Sequence, residues 1–279
     1  MQVANHTLRL DPVPLPIHPA GGPMAPEAFP TDGSFNPAAL AQMERMVQDL
    51  GRMYRERNEA LEEVTRAHHE ALFRLALAAE YRDDDTGAHI VRMGFLAERL
   101  GLLAGMDAVE AAMLRKAAPM HDVGKIGIPD RVLKKPGPFD PDERLIMNSH
   151  SGVGAAILGS SRIPLFQLAA EVALAHHERW DGTGYPSRLS GEAIPRSGRI
   201  VAIVDFFDAL TMDRCYRKAF SDERALEMLQ AERGRAFDPH LVDLFQAHSA
   251  EMRALRDCIN QVNPTFADLV VGVKLPSAT

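Results

Sequence analysis

Between about Pro37 and Arg82 apolar residues return every seventh position: Leu40, Val47, Tyr54, Leu61 and Leu75 form one row, and Met43, Leu50, Val64, Ala71 and Ala78 the complementary one. This is a heptad seam, interrupted by Arg57 and His68, and it predicts one long helix. Such a helix either pairs with a second copy as a parallel coiled coil that passes a signal, or packs along its own domain. The seam is long and begins outside the expected globular core, which favours dimerisation through residues 38–80. From Tyr81 to His248 the pattern is again almost wholly helical. Asp140-Pro141-Asp142-Glu143 supplies a cap, a first-turn proline and a capping-box glutamate. Ser221-Asp222-Glu223-Arg224 marks another helix start. The run Ile200–Val204 suits a strand on its own, but it continues unbroken to Leu210 and predicts a buried helix. An all-α protein follows.

Four segments result. Residues 1–37, rich in Pro, Gly and Ala, predict a flexible tail in which His6 and His18 have no specific task. Residues 38–80 are the heptad helix, 81–250 the main helical domain, and 251–279 a further short helix and tail. The net charge of −7 argues against a surface for DNA or RNA polymers, so an anionic ligand would need a local basic patch. Two distant cysteines, Cys215 and Cys258, predict free thiols rather than a disulfide framework or thiolate zinc site. No apolar run approaches a membrane span and no signal peptide is evident, so a cytoplasmic protein without membrane insertion is expected.

Of eleven histidines, five fall between residues 89 and 177, each beside a carboxylate, a glycine or another histidine. Imidazole with carboxylate is a donor set for zinc, iron, manganese and similar ions. Asp85 and His89 share a helical face at a spacing of four, with Arg92 placed to hold a carboxylate or phosphate. The pair alone says little, since such spacings occur on solvated helices. His121-Asp122 is stronger, because it follows the apolar run Ala111–Met120 with little to keep it at the surface. Gly124 leaves room for a substrate to approach, and Lys125 adds a point charge for phosphate. His150 ends the helix begun at Asp140. His176-His177 close the apolar stretch Leu165–Ala175; adjacent histidines diverge, which suits two ions better than one. Asp181-Gly182-Thr183-Gly184-Tyr185-Pro186 predicts a tight loop beside them, with Tyr185 stacking on a base or donating a hydrogen bond. Asp205 and Asp208 share a face of an apolar helix, where carboxylates must be paired or bind metal. Asp205 is assigned to metal and Asp208 to its support. Arg214, Arg217 and Lys218 supply a local basic patch, Lys218 being equally at home on a solvated helix end.

Taken in order, Arg82–His89, His121–Lys125, Ile126–Asp130, His150, His176–Glu178, Asp181–Pro186, Asp205–Leu210 and Asp213–Lys218 resemble the HD-GYP family of the HD metal-dependent phosphohydrolases, over about residues 75–246. The resemblance implies an all-helical HD-type bundle and hydrolysis of cyclic di-GMP to the linear dinucleotide or on to GMP. It implies two or three divalent ions, iron or manganese, held by His89, His121, Asp122, His150, His176, His177 and Asp205. Asp85 stands where a three-ion subgroup commonly has Glu, one methylene longer. Lys125, Arg214 and Arg217 match phosphate contacts, and Gly184-Tyr185-Pro186 matches the loop tied to substrate binding and to recognition of a signalling partner. Asp122 and Lys125 are the residues expected to act in catalysis; Arg92, Asp181 and Asp208 are expected to support the ligands. The ions would lower the pKa of a water to make hydroxide available, with Lys125 offsetting charge on the phosphoryl oxygens. Family members often carry a sensory or receiver domain, so here input is expected through a partner or through dimerisation. Competing readings are a non-catalytic nucleotide- or partner-binding module and a phosphohydrolase of another cyclic dinucleotide.

Overall fold

The computed structural model describes residues 36–82, 88–213, 218–262, 264 and 266–272. Among these there is no strand, only an isolated bridge between Arg233 and Phe237. The helices are α1 (Pro37–Glu80), α2 (Ala88–Leu103), α3 (Ala108–Ala117), α4 (Asp130–Leu133), α5 (Pro141–Asn148), α6 (His150–Leu158), α7 (Pro164–Ala175), α8 (Arg196–Thr211), α9 (Asp222–Ala231), α10 (Pro239–Ala247), α11 (Ser249–Val262) and α12 (Phe266–Val271). The 3-10 turns Ala118–Met120 and Val123–Gly127 follow α3. The all-α expectation holds, and Ile200–Leu210 lies within α8 as a buried helix. Asp140 and Glu143 form the full capping box of α5, and Ser221 caps α9 through the Arg224 amide. The expected tail lies outside the described residues, as do Asp85, Arg214, Cys215 and Arg217.

The chain divides into one unit ending at Asn58 and another beginning at Glu59. In the first, α1 leaves Leu40, Met43, Val47, Leu50 and Tyr54 exposed. In the second, α1 presents two stripes. Leu72, Ala76 and Ala79 are buried, whereas the seam residues Leu61, Val64 and Leu75 are exposed. The helix therefore packs on its own domain through a stripe offset from the heptad seam.

The second unit is built around α2, whose residues Ile90 to Ala97 are buried on every side, as an apolar helix at the centre of a bundle must be. Met93, Leu96 and Leu100 pack with Ile200, Val204 and Phe207 of α8 and with Phe245 of α10. Ile90, Val91 and Phe95 face the other way, into a cluster with Leu72, Met120, Leu165 and Ala173. Among the described residues no helix is long and apolar enough to cross a membrane.

Candidate metal centre

The two core clusters leave the polar ends of several helices converging between them. His89 sits in the first turn of α2, His150 opens α6, His176 caps the end of α7 with His177 next, and Asp205 projects from α8. His121 and Asp122 lie between the two 3-10 turns. Pro119 and the tightened backbone end α3 there, so adjacent side chains can reach one place.

The donor atoms fall into two neighbouring groups. Asp122, His150, His176 and His177 each offer one atom within 4.8 Å of the others, and so do His89, His121 and Asp205. Asp122 faces both: Oδ1 is 3.2 Å from His150 Nε2 and 3.6 Å from His176 Nε2, while Oδ2 is 3.3 Å from His121 Nε2. Asp205 Oδ1 lies 3.6 Å from His89 Nε2 and 3.8 Å from His121 Nε2.

The hydrogen bonds behind the rings decide what these atoms can bind. His121 Nδ1 meets the Ala118 carbonyl at 3.0 Å, His150 Nδ1 that of Met147 at 2.7 Å, and His176 Nδ1 those of Val172 and Ala173 at 3.1 and 3.0 Å. A carbonyl only accepts, so each Nδ1 carries a proton, and a ring in its neutral form turns the lone pair of Nε2 inward. Nε2 of His121, His150 and His176 and Oδ1 of Asp122 are buried with no hydrogen-bond partner. Converging lone pairs in a dry site repel unless a cation sits among them. Separations of about 3 to 3.4 Å are also those between neighbouring ligands of one ion with bonds of ~2.1 Å. The residues fit divalent metal ions.

Electrostatics agree. Burial lowers the His176 and His177 pKa values, holding both rings neutral. At Asp122 burial raises the pKa, but Lys125 and His121 outweigh it and hold the carboxyl well below the usual range. Burial also lowers His121, yet Asp122 and Asp205 draw a proton to it and raise its pKa overall. That is the same attraction a metal cation would feel. Lys125 Nζ is 2.8 Å from Asp122 Oδ2.

Supporting residues are specific. His89 Nδ1 donates to Asp208 Oδ2 at 2.7 Å, and Arg92 clamps the same carboxylate through Nε to Oδ1 at 2.6 Å and Nη2 to Oδ2 at 2.9 Å. Arg92 thus holds a carboxylate rather than a phosphate. Burial lowers the His89 pKa, but Asp208 outweighs it and brings it up to about 9; Asp208 itself is held at about 2. Tyr185 lies stacked on His177, with centroids 4.8 Å apart and planes 29° apart. Its ring braces an imidazole.

Two expectations need correction. Asp181, expected to support the ligands, is exposed and accepts from Thr183 N at 3.0 Å and Thr183 Oγ1 at 2.5 Å, closing the turn at Gly182 (φ 78°). Gly124 does not make room for substrate: a Cβ there would meet the His150 carbonyl oxygen at 1.9 Å, so its bareness lets α6 approach. Lys218 is exposed and pairs with Asp213 at 2.8 Å. Gly184 is buried and pressed against the backbone of Glu178 and Arg179, while Pro186 is exposed.

Two buried glutamates were given no role in the sequence reading. Glu80, 4% exposed at the end of α1, is pushed up by burial, with His89 opposing and Asp122 adding. Glu178 accepts from Ser187 N at 2.7 Å and Leu189 N at 3.0 Å, bracing the loop that carries Tyr185. The available signal was that Glu178 ends the quoted His176–Glu178 segment and that Glu80 stands two residues before Arg82.

Comparison with known proteins matches this architecture. The chain is 48% identical over 187 residues to the 3'3'-cGAMP-specific phosphodiesterase 2 of Vibrio cholerae, covering 67% of this chain and 36% of that one. It is 44% identical over 196 residues to the cyclic di-GMP phosphodiesterase response regulator RpfG of Xanthomonas campestris (70% and 52%), and 45% over 176 residues to a cyclic di-GMP phosphodiesterase of Thermotoga maritima (63% and 48%). The chain thus spans about half or less of these relatives' lengths. The crystal structure of a cyclic GMP-AMP specific phosphodiesterase of Vibrio cholerae superposes with a TM-score of 0.55 at 20% identity, over 75% of this chain and 54% of that one, a likeness of fold. The family model described as HD domain matches residues 76–241, and the chain belongs to the HD domain family.

Proposed function

We propose that this chain is a metal-dependent phosphodiesterase that hydrolyses cyclic di-GMP to pGpG or GMP in bacterial second-messenger signalling. The observation that carries the reading is the pair of neighbouring donor groups, with Asp122 in one of them and also 3.3 Å from His121 of the other, and Lys125 beside that carboxylate. His89, His121, His150, His176, His177, Asp122 and Asp205 would hold two ions, and Asp85 a third. Nitrogen and carboxylate donors without thiolate suit iron or manganese. When bound, such ions supply Lewis acidity and a water of lowered pKa. Asp122 orients what binds between the two groups. Lys125, with Arg214 and Arg217, offsets charge on the phosphoryl oxygens. Asp208 and Arg92 keep His89 aimed inward, and Tyr185 keeps His177 in place. Burial raises the Tyr185 pKa, so its phenol stays a hydrogen-bond donor. Gly184-Tyr185-Pro186 would border the substrate and meet a signalling partner. The two-cysteine composition suits the cytoplasm.

A second reading, hydrolysis of the mixed cyclic dinucleotide 3'3'-cGAMP, is favoured by the 48% identity to an enzyme named for it. Metal analysis of purified protein, followed by product identification with each dinucleotide and Mn or Fe(II), tests both. We expect cyclic di-GMP to be turned over at least as fast as 3'3'-cGAMP. The reverse order would favour the second reading, and no turnover of either by loaded protein would defeat both. Asp122→Ala should abolish turnover in protein that still melts cooperatively; undiminished activity would refute the assigned site.

A further inference from the structure

Two residues past the end of α1, Arg82 reaches one short stretch of chain with four hydrogen bonds, three to backbone and one to a side chain. Nη1 donates to the carbonyls of Lys125, at 3.1 Å, and Ile126; Nη2 donates to the Ile128 carbonyl at 2.8 Å and to Asp130 Oδ1 at 2.6 Å. These acceptors finish the 3-10 turn that starts after Asp122 and carries Lys125. The turn is short, five residues, and is bounded by the bonds from Lys125 N to Asp122 O at 2.9 Å and from Ile128 N to Lys125 O at 3.0 Å. Gly124 anchors one side of it against α6, where no side chain fits. Arg82 anchors the other. Its side chain is 31% exposed, so filling the core does not explain it. A planar guanidinium can address several acceptors at fixed angles; a single ammonium cannot.

We propose that Arg82 is a positioning residue for the hydrolysis: it fixes residues 123–130 so that the Lys125 ammonium stays beside Asp122 and faces the substrate phosphate. The proposal rests on reading Lys125 as a phosphate contact. It also ties the end of α1 directly to the turn that carries that contact.

A double-mutant cycle separates positioning from simple stapling of the fold. Full-length protein loaded with Mn is compared as wild type, Arg82→Ala, Lys125→Ala and the double variant, with kcat and KM for cyclic di-GMP, Mn stoichiometry and melting temperature measured for each. Arg82→Ala should lower kcat/KM about tenfold or more, mainly through KM, since small displacements of a contact are costly. In the Lys125→Ala background the same change should cost less than about twofold, because the residue it acts through is gone. Mn stoichiometry should not move, and Arg82→Lys should recover part of the loss. Equal losses in both backgrounds, wild-type KM in Arg82→Ala, or Mn lost in step with activity would overturn the proposal. If Arg82→Ala does not fold, Asp130→Ala removes one of the four acceptors, the carboxylate; an unchanged KM there would count equally against it. Reading the same cycle on the Kd for cyclic di-GMP keeps the test alive if the wild type binds without turnover, a result that would strike the proposed reaction instead.

Discussion

Asp208 is 1% exposed and is the sole carboxylate on which Arg92 and His89 converge among the described residues. Removing one member of a buried ion pair leaves the other charge unsolvated, which costs about 3–5 kcal/mol. We therefore expect Asp208→Ala to lower stability by roughly that amount in urea unfolding, and to weaken metal binding about 10–100-fold, as loss of a partner behind a ligating histidine does. Unchanged stability would mean that Arg92 finds another acceptor, with Asn260 Oδ1, 3.2 Å from Nη1, the nearest one at hand. At this scale the sequence was readable where chemistry is unusual and opaque where it is ordinary. Five histidines beside carboxylates and glycines stand out, and so do two aspartates on an apolar helix. A glutamate at a helix end or an arginine past it does not, because what Glu80, Glu178 and Arg82 face is set by elements far away in the chain. Gly124 misled for the same reason: the atom that needs its missing Cβ belongs to His150.

Among elements, the caps were legible because capping is local. Asp140 and Ser221 bond to amides three residues on, and spacing alone reveals them. The buried stripe of α1 was hidden, since Leu72, Ala76 and Ala79 compete with a heptad row that is equally regular. Contacts between helix ends are likewise absent from local pattern. Asp222, in the first turn of α9, receives Arg256 of α11 through Nη1 to Oδ1 at 2.5 Å and Nη2 to Oδ2 at 3.1 Å. The Arg256 guanidinium holds the Asp222 carboxyl below its ordinary value. A depressed folded-state pKa means the folded protein binds fewer protons than the unfolded one. The contribution is therefore present above the unfolded pKa of about 3.9 and is lost as pH falls through the folded value. The melting temperatures of wild type and Asp222→Asn should differ most near neutral pH and converge below about pH 4. A gap that stays constant with pH would assign the effect to packing rather than charge.

For the whole molecule, the question is what covers the seam of α1. Leu50 is 68% exposed and Val47 69%, against 2% for Leu72 on the docked stripe of the second unit. Burying one such side chain stabilises by about 1.5–3 kcal/mol, and the seam repeats the opportunity every turn or two. A long helix with so many apolar residues in water is marginal alone, because helical stability comes mostly from packing a face. Membrane association is a poor fit, since the same stretch is dense in Glu and Arg on its other faces. A second copy offers the same seam in register, and the heptad spacing is the geometry two such helices need. We infer a parallel homodimer through residues 38–80, as an input route to the unit that carries the histidine cluster. Leu50→Glu would place a charge at the centre of that contact from both copies. Sedimentation at micromolar concentration should give a dimer for the wild type and half that mass for Leu50→Glu. Far-ultraviolet circular dichroism should show helix lost from the variant, because the N-terminal turns of α1 leave their apolar side chains exposed. A wild type that sediments as a monomer would rule out the pairing and leave the exposed seam to a different partner.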